Sequence, residues 1–176
     1  MACTQTLKGI TRDCLSNSGG VRSVWLANKA DIDSIMLNPL DGAVTLILMK
    51  TGKSFYEYQF ARGTASMSSN YAVNAENGTK YVETDLVMVF ARMNTAKRNE
   101  LISLKGAELA ALVEDQNGKV WLLGHEHPLE MTAGDGLTGT AYADRNGYSI
   151  TLHDVSPQMP REYTGTMPPP DNITPP

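Results

Sequence analysis

His125-Glu126-His127 is the stretch whose residue types come nearest to a metal site. In a strand, alternate residues share a face, so both imidazoles would approach one ion. The segment runs into Pro128 just after a hairpin, however, and no Cys-x-x-Cys or His-x-x-x-His spacing supplies further ligands. A solvated polar loop without a metal is the expectation. The neighbouring carboxylates Glu114 with Asp115, and Asp31 with Asp33, are expected to be surface charge, because nothing beside them supplies the desolvation that tunes a catalytic acid. Ser18-Gly19-Gly20 and Gly134-Asp135-Gly136 are followed by neither Gly-Lys-Ser/Thr nor a helix, so neither is a phosphate loop or a dinucleotide fingerprint. No Gly-x-Ser-x-Gly elbow is present. The chain is therefore expected to carry no catalytic residue, cofactor or metal, and not to be an enzyme.

A formal net charge of -4 over 176 residues argues against a protein that holds nucleic acid by neutralising phosphates. The length suits one domain with a sizeable core. Cys3 and Cys14 are too few for a disulfide framework and are expected to be free thiols in a reducing compartment. No signal peptide and no apolar run long enough to span a bilayer are evident, so no membrane association is expected.

Three Asn-Gly pairs punctuate the chain: Asn77-Gly78, Asn117-Gly118 and Asn146-Gly147. Asn-Gly favours the two-residue type I′ hairpin turn, in which both central residues take positive φ. At Asn117-Gly118 such a turn pairs Val113 with Leu122 and Glu114 with Trp121. At Asn146-Gly147 it pairs Ala143 with Ile150 and Ala141 with Leu152. Ala133 to Gly139 then reads as a flexible connection between these hairpins. Upstream, Val21–Ala27 and Ala43–Met49 read as strands, with Val44, Leu46 and Leu48 on one face of the second. Ser54 to Ala61 alternates Tyr56, Tyr58 and Phe60 against a mixed face of Phe55, Glu57 and Gln59. Asn94 or Thr95 caps one short helix that ends before Gly106, with Leu101 and Leu104 on one face.

Thr64 to Glu76 is poor in large apolar groups. It reads either as a surface loop or as a strand paired with Tyr81–Met93, where Val82, Leu86, Met88 and Phe90 share a face. As a strand it has too little apolar surface to stand alone and needs a neighbour. The expected organisation is an N-terminal arm (1–20), one β-rich domain (21–157, with a long hairpin at 64–93) and a proline-rich tail (158–176) that is either disordered or lies along a partner.

The run from Phe90-Ala91-Arg92-Met93 to Leu104, then Leu112 to Gly124, then Gly139 to Tyr148, resembles structural proteins of tailed bacteriophages infecting Bacteroides-like bacteria, and is most similar to a tail tube protein. The resemblance covers roughly residues 55 to 155 and lies in the order of features, not in a diagnostic motif. It implies a mainly β fold, a β-sandwich or half-barrel with one short helix. It also implies hexameric rings whose long hairpins join into a β-barrel around a DNA channel. The assembly hairpin would then comprise Ser66, Ser68, Asn70, Asn74, Asn77, Gly78, Tyr81, Glu83 and Asp85. Partners would be further copies of the chain, other phage tail or neck proteins, and DNA that passes without sequence-specific contact. The location would be the virion tail, assembled in the host cytoplasm. The proline tail departs from this pattern and fits a portal-proximal ring or adaptor as well. From a different class, Trp25, Trp121 and the tyrosines would suit a carbohydrate- or surface-binding sandwich, in which rings stack on sugars.

Overall fold

The computed structural model describes residues 9–12, 14–167 and 169. Among these residues, eleven strands form two sheets, accompanied by one α-helix. The first has seven strands in the order β2-β3-β11-β8-β7-β1-β4: β1 (Val21–Asn28), β2 (Ile32–Leu37), β3 (Val44–Met49), β4 (Tyr56–Tyr58), β7 (Leu109–Asp115), β8 (Val120–Leu123) and β11 (Arg161–Tyr163). The second has four strands in the order β5-β6-β10-β9: β5 (Ala65–Asn74), β6 (Thr79–Ala91), β10 (Gly147–Ser156) and β9 (Glu130–Leu137). The fold is mainly β, and neither sheet closes into a barrel within one chain.

Strand alternation explains the layering. Val82, Thr84, Leu86, Met88 and Phe90 on β6, with Ile150 and Leu152 on β10, point into one core. There Leu86, Met88, Phe90, Ile150 and Leu152 meet Val24 and Leu26 of β1 and Leu109, Ala111 and Val113 of β7. A second core lies on the opposite face of the larger sheet. It joins Ala110, Leu112 and Leu122 to Val44, Ile47, Met49 and Phe55, so the sheet curls over itself as a half-barrel. On β3, Met36 pairs with Leu46 but Leu37 pairs with Val44, leaving Thr45 as an extra residue. This bulge moves Val44 onto the face of Ile47 and Met49, not that of Leu46 and Leu48.

Helix α1 (Thr95–Leu104) matches its expected span. The Asn94 side chain accepts from Lys97 N at 2.8 Å, an N-cap bond. Leu104 is buried and Leu101 packs on the inter-sheet core. The Tyr58 hydroxyl donates to the Glu100 carboxylate, tying the helix to β4.

The Asn-Gly pairs depart from expectation in three ways. At Asn117-Gly118 the loop has one more residue than a type I′ turn. Gly118 N donates to Asp115 O at 3.1 Å, Asp115 N donates to Lys119 O at 2.8 Å, and only Gly118 takes positive φ, at 80°. This is a type I turn closed by a glycine bulge, and the strands slip by one residue. Val113 faces Trp121 and Glu114 faces Val120. Asp115 selects this loop: its carboxylate accepts from Asn117 N (2.8 Å), Lys119 N (2.9 Å) and Trp121 Nε1 (3.2 Å). Asp115→Ala removes all three acceptors and is expected to cost about 2 kcal/mol in urea denaturation. A change under about 0.5 kcal/mol, the size of an ordinary surface substitution, would show that the turn holds without them.

At Asn77-Gly78 the last strand pair is Asn74 with Thr79, so the loop has four residues. Gly78 supplies the left-handed position, at φ 65°, and the Asn74 side chain accepts from Glu76 N and Asn77 N. At Asn146-Gly147 there is no hairpin turn. Residues 140–144 are not a strand, and Ala143 does not pair with Ile150. β10 pairs instead with β6 and with β9, which occupies most of the stretch expected to be a flexible connection. Asn146 works as a clasp: its backbone O accepts from Arg92 N at 2.7 Å, and its Oδ1 from Met93 N at 3.1 Å.

Two further boundaries differ. Only Tyr56–Tyr58 of the 54–61 stretch is a strand. Arg161–Tyr163, within the expected proline-rich tail, is the strand that bridges β3 and β8. Most of the prolines beyond it, and Cys3, lie outside the described residues. Cys14 is an exposed free thiol.

Candidate assembly surface: the polar face and open edges of the four-stranded sheet

Nine residues were expected to build an assembly hairpin, and the four-stranded sheet gathers seven of them on one face. Ser66, Ser68, Asn70 and Asn74 alternate outward along β5, and Tyr81, Glu83 and Asp85 along β6. Asn77 and Gly78 form the tip loop. The registers extend the face sideways. Ser68, Asp85, His153 and Glu130 lie in one row, and Ser66, Val87, Thr151 and Ala133 in another. His153 Nδ1 and Asp85 Oδ1 are 2.8 Å apart, and Arg145 Nη2 reaches Asp135 Oδ1 at 2.8 Å. Glu83 and Glu130 add further carboxylates, so acidic groups outnumber basic ones across this face.

The opposite face of the same hairpin changes character along its length. Near the body it carries Ala65, buried in the core, and the Ser69 and Thr84 hydroxyls, 2.9 Å apart. β10 ends opposite Val82, so the hairpin beyond that row is a two-strand ribbon. Tyr71 and Val73 sit on the core-facing side at and beyond this limit, and they are 66% and 65% exposed. The sheet has two free edges, β5 and β9, with ten and eight residues. Long unpaired edges are templates for joining another chain.

His125 and His127 lie in the bend between β8 and β9, as expected of a polar loop. His125 Nδ1 is buried and approaches Glu126 Oε1 at 3.3 Å without hydrogen-bond geometry. Among the described residues, no group of three or more His, Cys, Asp or Glu is placed to hold a metal ion. The unusual group here, missed in the sequence, is Asp154. It is only 4% exposed, and its Oδ1 has no hydrogen-bond partner. Its Oδ2 accepts weakly from Gly124 N at 3.4 Å. Burial raises its pKa above the usual carboxylate value, while Gly124 N, His127, Lys29 and His153 oppose the shift. Strand alternation on β10 could have flagged Asp154, since Ile150 and Leu152 put it on the core face.

A raised folded-state pKa means the native state binds this proton more tightly than the unfolded chain does. The stabilisation is fully present below the unfolded carboxylate pKa of about 4 and is lost as pH rises through the folded value. Asp154→Asn is therefore expected to raise the melting temperature at pH 7 by roughly 2–4 °C and to flatten its pH dependence above pH 4. An unchanged pH profile would show that Asp154 does not titrate on unfolding.

The two tryptophans of the expected aromatic platform do not lie together. Trp25 and Trp121 both pack against the cores. The Lys97 ammonium donates to the carbonyls of Ala91 and Arg92 at the end of β6. Among the described residues, no helix is long and apolar enough to cross a membrane. No family model and no curated protein matches the chain. Among solved structures, the chain is similar to a chain in the virion of a native gene transfer agent (GTA) particle, with a TM-score of 0.39 and 14% identity, over 77% of this chain and 97% of that one.

Proposed function

We infer that this chain is a structural subunit of a phage-type virion, a tail tube protein that self-assembles into stacked hexameric rings around a DNA channel. Its role is geometric, with no catalytic step. The observation that carries this reading is the four-stranded antiparallel sheet, with two open edges, one polar and acidic face, and an even number of strands. Strand direction alternates across it, so β5 and β9 run in opposite directions. A copy rotated about an axis parallel to the sheet brings its β5 beside β9 antiparallel, and alternation continues around the ring. An odd count would force a parallel seam.

Closure removes both edges from each copy. Six copies give twenty-four strands, and at about 4.8 Å spacing and 45° tilt the backbone circle is about 50 Å across. The acidic face would line this channel and repel passing phosphates, so DNA would slide without binding. A portal-proximal ring or adaptor remains the alternative position for the same geometry.

Negative-stain imaging and light scattering of the purified chain test the reading. Rings with a central channel, or stacks of them, are the expected result. A stable monomer at tens of micromolar, in high and low salt, would overturn it.

A further inference from the structure

We propose that neighbouring copies pair β9 with β5 in a register staggered by six residues, which sets Tyr71 of one copy beside Gly134 of the next and Val73 beside Met131. The proposal rests on the ring reading above and specifies its subunit contact.

The registers within one chain fix the starting point. Gly134, Ile150, Met88 and Ala65 lie in one row, and Met131, Leu152, Leu86 and Met67 in another. Without a stagger, Gly134 would meet the neighbour's Ala65, the first residue of β5, and Asp135, Gly136 and Leu137 would find no strand. Side chains alternate with period two, so only an even stagger keeps core faces together. Offsets of four and six both give all of β9 a partner on β5. A six-residue offset, from Ala65 to Tyr71, is about 20 Å along the strand, against about 19 Å for four strand widths, which corresponds to a tilt of about 45°. Four residues give about 35°, and closed barrels use both.

Side chains separate the two. Tyr71 and Val73 are the apolar groups that the core-facing side of β5 leaves in solvent. An offset of four leaves Val73 past the end of β9; an offset of six brings both onto it. β9 has the complementary shape. The Met131 methyl covers the core side of Gly134 and the Tyr148 ring that of Gly136, and beside them an apolar groove of about 260 Å³ runs between β9 and α1, lined by Leu101, Ile102, Met131 and Ile150. Tyr71 set beside Gly134 would lie against the flexible Met131 side chain, at the edge of this groove. On the channel face the same register sets Asp135 opposite Asn70 and Glu130 opposite Asn74, so the β9 carboxylates meet amides and no like charges.

Paired cysteines test the register in a Cys3→Ser, Cys14→Ser background. Val73→Cys with Met131→Cys is expected to give a ladder of covalent oligomers on mild oxidation, whereas Tyr71→Cys with Met131→Cys, the pair required by an offset of four, gives none. A ladder from the second pair alone would overturn the register. Rings in the microscope with no ladder from either pair would overturn the β5–β9 contact while leaving the ring reading intact. A monomeric parent protein would overturn both. Val73→Asp adds a readout independent of disulfide chemistry. Val73 is exposed in the single chain, so the variant is expected to keep its melting temperature and lose at least ten-fold in assembly. Full assembly of Val73→Asp would count against the contact.

Discussion

Leu86→Ala is expected to lower the free energy of unfolding by about 3–5 kcal/mol. Leu86 is fully buried at the centre of the four-stranded sheet, with Leu152 opposite on β10 and Met67 on β5. It faces β1 and β7 across the inter-sheet core. Strands on both sides hold the backbone in place, so the site has little freedom to collapse, and most of the lost volume stays as a cavity. Urea denaturation with an unchanged slope would give the loss directly. A loss under about 1 kcal/mol would mean that the two sheets do not pack as described.

Gly147→Ala is expected to cost about 3 kcal/mol or more, although it adds one methyl group. A Cβ at this position would stand 2.1 Å from the Phe90 carbonyl oxygen and 3.0 Å from the Phe90 carbonyl carbon. Both are backbone atoms of β6 and cannot rotate away. Relief requires β10 to retreat from the end of β6, which pulls on the bonds from Arg92 N and Met93 N to Asn146. Arg92 already takes φ 64°, a left-handed conformation uncommon outside glycine, so the backbone there has little slack. Thermal unfolding checks the prediction, and a melting temperature within about 2 °C of the parent would show that β10 can shift at no cost.

Legibility in the sequence followed the range of the physics involved. Local signals were readable: the apolar alternation of β6, the Asn94 cap and the span of α1 each depend on a few neighbouring residues. Alternation along β5 puts four of the expected hairpin residues on one face, and alternation along β6 adds three more, because period two is a property of the strand itself. Turn chemistry was readable only in part. Asn-Gly announces a bend, but Asp115 and Asn74, just upstream, select the longer loops by accepting backbone N–H groups. At Asn146-Gly147 the same dipeptide serves tertiary contacts, a clasp on Arg92 and Met93 and a close approach to Phe90. Pairing it locally hid β9, whose glycines made it resemble a linker. The three-residue β11 was beyond reach, since its partners β3 and β8 lie far away in the chain.

The five consecutive buried residues Leu109 to Val113 give β7 a consequence of its own. Leu109, Ala111 and Val113 belong to the inter-sheet core, and Ala110 and Leu112 to the core inside the half-barrel. Neither core can open without exposing one side of this strand. The cores therefore melt as one cooperative unit, and the backbone amides of β7 should be among the last to exchange with deuterium.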